Sequence, residues 1–148
     1  MDIAFNQIGA FNGIEGGPKV ITNPTSLAFG PDERLYVSEQ NGTINAFTLI
    51  LDDGEYKATS HETLTLASGA EVVKSIQNHN DDGVDSALTN RQVTGLLVTG
   101  TAENPVLYIS SSDPRIANNG EADLDTNSGV VTQVPFNGAD SEAGVILR

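Results

Sequence analysis

His79 lies between Asn78 and Asn80 and directly ahead of Asp81 and Asp82, which gathers an imidazole and two carboxylates into one short segment. A neutral imidazole beside a carboxylate gains basicity and a fixed orientation, the properties needed to take a proton from a sugar hydroxyl. The competing reading is a loop histidine whose Asn and Asp neighbours close Asx turns on the backbone. A second oxygen-rich run, Asp123-Leu124-Asp125-Thr126-Asn127-Ser128-Gly129, sets Asp123, Asp125 and Asn127 at alternate positions, as the opening of a calcium loop does. Its glycine falls one place later than an EF-hand bend requires, and Val134 stands where the bidentate Glu belongs, so an EF-hand is excluded. A looser calcium site completed by backbone carbonyls stays open, beside a reading in which Asp125, Asn127 and Ser128 only make turn hydrogen bonds. Asp81, Asp82 and Asp85 form a comparable candidate. Arg91 and Arg115 border the two polar stretches, where a guanidinium could grip the carboxylate of a ligand or cofactor, or pair with Asp85 or Asp113.

Several chemistries are absent from the chain. It has no cysteine, which removes disulfides, thiolate nucleophiles and cysteine-held metals. No Gly-x-Ser-x-Gly elbow occurs, and Gly13, Gly16 and Gly17 are not followed by the Lys-Ser/Thr of a phosphate loop. His61, within the alternation His61-Glu62-Thr63-Leu64-Thr65-Leu66, reads as a strand-surface residue. A formal net charge of -13 opposes nucleic acid and anionic lipid as partners. No run approaches the ~20 apolar residues of a membrane span, and the first residues lack the basic and apolar regions of a signal peptide.

The elements that must position these residues come from an internal repeat. Leu35-Tyr36-Val37-Ser38 returns as Leu107-Tyr108-Ile109-Ser110. Upstream of each copy lie Thr25-Ser26-Leu27-Ala28-Phe29 and Val93-Thr94-Gly95-Leu96-Leu97-Val98, and downstream lie Gly42-Thr43-Ile44-Asn45-Ala46-Phe47 and Gly129-Val130-Val131-Thr132-Gln133-Val134. Two sets of short strands suggest β-propeller blades, so the expected fold is all-β, with about two four-stranded blades of an incomplete ring. The expected layout is an irregular lead-in over 1–23, a first blade over 24–67, a polar loop over 68–91 and a second blade with a long insertion over 92–148. In the first blade, strands fall at Thr25 to Phe29, Arg34 to Glu39, Thr43 to Leu51 and Glu55 to Ala67, separated by Gly- and Asn-rich turns. Tyr36 and Tyr108 are expected in the core with their hydroxyls reaching a turn. The chain ends on Val145-Ile146-Leu147-Arg148 without a polar cap, which suggests a piece of something larger. A small all-β sandwich that uses both long loops as covers is the alternative; the two Leu-Tyr-Val/Ile-Ser strands paired in a single sheet would exclude blades, which hold them in separate sheets.

Asn23-Pro24-Thr25-Ser26-Leu27-Ala28-Phe29-Gly30-Pro31-Asp32-Glu33-Arg34 through Gly42 resembles an opening blade of the glucose/sorbosone dehydrogenase-like propellers. The phrases Asn78-His79-Asn80-Asp81-Asp82-Gly83, Arg91-Gln92-Val93-Thr94-Gly95 and Ser111 to Arg115 are similar to those of its multidomain bacterial branch, as is Leu124 to Gly129. The resemblance implies a six-bladed fold and, in enzymatic members, oxidation of a sugar with pyrroloquinoline quinone (PQQ), together with calcium. It also implies further blades or adjoining domains as partners, a sugar ligand, and a periplasmic, cell-surface or secreted location. The family's general-base histidine and cofactor-holding basic residues belong to later blades. His79 does not match that motif by position, and this stretch alone is expected to be inactive.

Overall fold

Turn chemistry cuts the first half of the chain into strands. Gly30 to Arg34 and Gln40 to Thr43 separate three strands, and Asp53-Gly54, with φ of 50° and 81°, makes a two-residue hairpin turn in the left-handed region that this dipeptide adopts readily. The computed structural model describes residues 9–10, 21–65, 69–75, 78–80, 83–85, 91–114, 129–135 and 145–147. Its first sheet contains β1 (Gly9–Ala10), β2 (Pro24–Phe29), β3 (Leu35–Glu39), β4 (Ile44–Asp52) and β5 (Glu55–Thr63), in the order β1-β5-β4-β3-β2. All pairings are antiparallel except the short β1–β5 contact.

A short 3-10 turn (Val73–Ser75) and a small hairpin of β6 (Asn78–Asn80) and β7 (Gly83–Asp85) follow. The second sheet holds β8 (Gln92–Gly100), β9 (Pro105–Ser112), β10 (Val130–Pro135) and β11 (Val145–Leu147) in the order β11-β10-β9-β8, all antiparallel. The fold is therefore all-β, and the two Leu-Tyr-Val/Ile-Ser phrases occupy β3 and β9 in different sheets. One expectation changes. The stretch after β5 is not wholly polar, because Val72 and Val73 are buried in the core. The terminal run is a paired strand, with Val131 opposite Leu147 and Gln133 opposite Val145.

The repeat extends to geometry that the sequence phrase does not state. Each first strand carries a bulge at the same place, between Pro24 and Ser26 in β2 and between Val93 and Gly95 in β8. The residue left over is a threonine both times, and it bonds the serine that ends the repeated phrase. Thr25 Oγ1 lies 3.1 Å from Ser38 Oγ, and Thr94 Oγ1 lies 3.0 Å from Ser110 Oγ. Such bulges re-aim a strand, and here they place a hydroxyl pair at one end of each sheet.

Period-two alternation assigns the faces. On β3, Tyr36 points toward the second sheet while Leu35 and Val37 point away; on β9, Leu107 and Ile109 point toward the first sheet while Tyr108 points away. The joint is thus a tyrosine face against a leucine face. Its core contains Tyr36, Ile44 and Ala46 from the first sheet and Val93, Val98, Leu107, Ile109 and Val134 from the second. Strand β8 packs against β2 and β3, so the first strands of the two repeats are neighbours across it. The other face of the first sheet buries Leu35, Val37, Phe47 and Ala58 in a second cluster. The expected core position holds for Tyr36, whereas Tyr108 is half-buried on the outer face.

Tyr36 has no exposed surface, and its hydroxyl donates to Asp32 Oδ2 at 2.8 Å, tying β3 to the turn that precedes it. Gly30 completes this corner, because a Cβ there would run into the Asp32 carboxylate and the Tyr36 ring and press on Val98. Burial, and then the bond to Asp32, raise the Tyr36 pKa above the ordinary tyrosine range. With the folded pKa raised, this contribution to stability is full below the unfolded value of ~10 and is lost as pH climbs toward the folded value. Denaturant unfolding of wild type should therefore show stability falling between pH 9 and pH 11 by up to ~1.4 kcal/mol per unit above ~10. Tyr36→Phe should lose about 1 kcal/mol at neutral pH and lack that alkaline component; an identical alkaline slope in both proteins would refute the assignment.

Candidate functional site

The joint is apolar at one end and polar at the other. Ser38 and Thr43 of the first sheet are buried near the turn from β3 to β4, with Glu39 and Asn45 buried on that sheet's far face beside Val37, and Arg91, Ser111 and Asp113 of the second are buried where β8 begins and β9 ends. Sequence places this end of each sheet at the same point of the repeat: Glu39 and Ser111 each follow the repeated serine.

Glu39, Thr43, Asn45 and Arg91 are each tied to a neighbour, as burial demands. The Glu39 carboxylate accepts from Asn45 Nδ2 at 3.1 Å, and Asn45 Oδ1 in turn accepts from Thr63 Oγ1 at 2.8 Å. Lys74 donates to Glu71 at 2.9 Å and to Thr43 Oγ1 at 3.1 Å, which draws the Val72-Val73 segment onto the sheet. Gly42, with φ of 96°, sits where a Cβ would come within 3.1 Å of the Arg91 carbonyl, so both its conformation and its clearance call for glycine. Arg91 is 2% exposed; its Nε donates to Ser111 Oγ at 3.1 Å and its Nη2 to the Ser111 carbonyl at 3.2 Å. This fork crosses from the start of β8 to the end of β9.

Beside the fork, Thr94, Ser110, Ser111, Ser112, Gly129, Val130 and Val131 line an open cavity of about 370 Å³. Its exposed lining is mainly apolar; the Thr94 and Ser110 hydroxyls bond each other and the Ser111 hydroxyl accepts from Arg91.

The candidates named from sequence fall differently against this end. Arg91 is at its centre, with the guanidinium engaged by Ser111. His79 lies in β6, opposite Val84 in the small hairpin. Asp81, Asp82, Arg115, Asp123, Asp125 and Asn127 lie outside the described residues. His61 stacks on Phe47 at 6.0 Å between ring centres, and its Nδ1 is buried without a hydrogen-bond partner among the described residues. Among the described residues no group of three or more His, Asp or Glu side chains could hold a metal. Glu39, Asn45 and the cavity were not singled out from sequence; the signal was the polar tail on an otherwise buried strand, Ser38-Glu39 in one copy and Ser110-Ser111-Ser112-Asp113 in the other.

No known family, curated protein or solved structure matches the chain. Among the described residues no helix is long and apolar enough to cross a membrane.

The fork carries a prediction. Arg91→Met should lower unfolding free energy by roughly 3 kcal/mol, because it strands the buried acceptors at this end. Ser111→Ala should cost about 1 kcal/mol. The double variant should lose less than the sum, since each change removes the same bonds. Strictly additive losses in urea titrations would show that the two side chains do not act together.

Proposed function

We propose that the chain is part of a β-propeller of the glucose/sorbosone dehydrogenase-like type, the complete form of which oxidises a sugar or other alcohol with a quinone cofactor. The observation that carries this reading is the direction of packing. Blades wound about an axis set the same first strands side by side and bring unlike faces together, as β2 and β8 and the tyrosine-to-leucine joint do. A two-fold sandwich of the same units would bring like faces together. The sequence resemblance over the first blade supplies the chemical part of the reading.

In that chemistry the substrate carbinol loses two electrons and two protons, becoming a carbonyl or lactone, and the quinone takes them up as the quinol. The described residues do not fit the quinone itself. An anionic quinone needs several cations, and the described basic residues are engaged internally: Arg34 with Glu62, Lys57 with Asp52, Lys74 with Glu71, and Arg91 with Ser111. Holding PQQ would therefore fall to other blades, as would the general base, and no step is assigned to Arg91, Arg115 or His79.

A second reading rests on the oxygen-rich run Asp123-Leu124-Asp125-Thr126-Asn127-Ser128, which precedes Gly129 in the sequence. In it the chain belongs to a noncatalytic, calcium-stabilised propeller that acts as a binding or scaffold module on a cell surface or outside the cell. The hard oxygens of Asp123, Asp125 and Asn127 suit calcium.

The two readings part on measurement. Titrating the chain with PQQ and calcium, and following dye reduction with aldoses, should give no turnover, while a version extended by following blades should turn over. An inert extended protein would overturn the enzyme reading. For the second reading, calcium should raise the melting temperature, and Asp123→Ala with Asp125→Ala should remove that rise without changing the melting temperature in chelator. A calcium-independent melting temperature in wild type would overturn it.

A further inference from the structure

The two sheets leave unfinished the same joint that they complete between themselves. On the second sheet's outer face, Leu97 is 56% exposed and Val131 38% exposed, flanking Tyr108. Register makes Leu97 the counterpart of Ala28, Tyr108 of Tyr36 and Val131 of Ile44, the first-sheet residues that the second sheet covers. On the first sheet's far face, Leu27 is 66% exposed and Phe29 59% exposed. They are the counterparts of Leu96 and Val98, which the first sheet covers. Thus one open surface repeats the tyrosine side of the internal joint and the other repeats part of its leucine side. Both sets of residues are uncharged in a chain of net charge -13, so neither surface repels the other directly.

We propose that these surfaces bind each other between molecules: the Leu27–Phe29 strip of one copy docks on the Leu97–Tyr108–Val131 face of a second copy, repeating from chain to chain the Leu96–Val98 part of the internal joint. The contact is heterologous, so each copy keeps one open face and association adds further copies unless the ring closes. The strip is narrow, because Leu35 and Val37 beside it are already covered. Association should accordingly be weak and appear only at high protein concentration. The proposal rests on the repeat geometry and is independent of any redox activity.

Sedimentation velocity of the full chain over a wide concentration range, with Leu97→Asp and Phe29→Asp as variants, tests it. Both positions are exposed, so the substitutions leave the core intact, which far-ultraviolet circular dichroism checks. Wild type should show a weight-average mass that rises with concentration, and each variant alone should stay monomeric. An equimolar mixture of the two should form a dimer and stop there, because each supplies the face that the other lacks. A monomeric wild type at every concentration would overturn the proposal and leave the face to a further repeat unit of a longer polypeptide. Self-association retained by either single variant would also overturn it, since that requires a like-to-like contact.

Discussion

The structure depends on the meeting of unlike faces at the Tyr36–Val98 contact. A tyrosine buried without exposed surface brings a large apolar ring and one hydroxyl, and the hydroxyl must be matched inside the protein. Asp32 supplies that match, and Gly30 leaves room for both the carboxylate and the ring. Once this corner is set, the alternation of β3 fixes which side of the first sheet meets the second. The same alternation on β9 then presents Leu107 and Ile109 to it.

This joint also explains the segregation of polar groups. At its apolar end, Val98, Leu107 and Val134 fill the space against the first sheet. At the other end, the turn at Gly42 leaves room for Arg91, which Ser111 of its own sheet holds, while Glu39 and Asn45 are buried on the first sheet's far face and bond each other. The polar segments that drew notice in the sequence are bracketed by residues of this end. The surfaces open to a partner are the outer faces, where Leu27, Phe29, Leu97 and Val131 are exposed.

Much of the architecture was legible in the residues. Asp53-Gly54 marked its hairpin because a two-residue turn needs positive φ at both places, and the strand limits in the first sheet fall within a few residues of those expected. The separation of the two repeated phrases into different sheets also agreed with the strand pattern. The part that was not legible depends on tertiary partners. Val72 and Val73 lie in a polar stretch without periodicity, and only the sheet edge they cover makes them core. Tyr108 has the same local sequence as Tyr36 but a different fate, because burial depends on whether a sheet follows on that side. Glu39 gave little warning, since a carboxylate at a strand end is usually solvated and only the Asn45–Thr63 chain shows how it is buried. His79, Arg115 and the Asp123–Asn127 run stand where sequence left them, as candidates defined by residue type and spacing.

Nuclear Overhauser contacts in a selectively labelled sample show whether two copies of one repeat pack tyrosine face to leucine face. Cross-peaks are expected between the Tyr36 ring and the Val98 methyls, and none between the Tyr108 ring and residues of the first sheet. Cross-peaks joining the Tyr36 and Tyr108 rings would mean that like faces meet, and would contradict that packing.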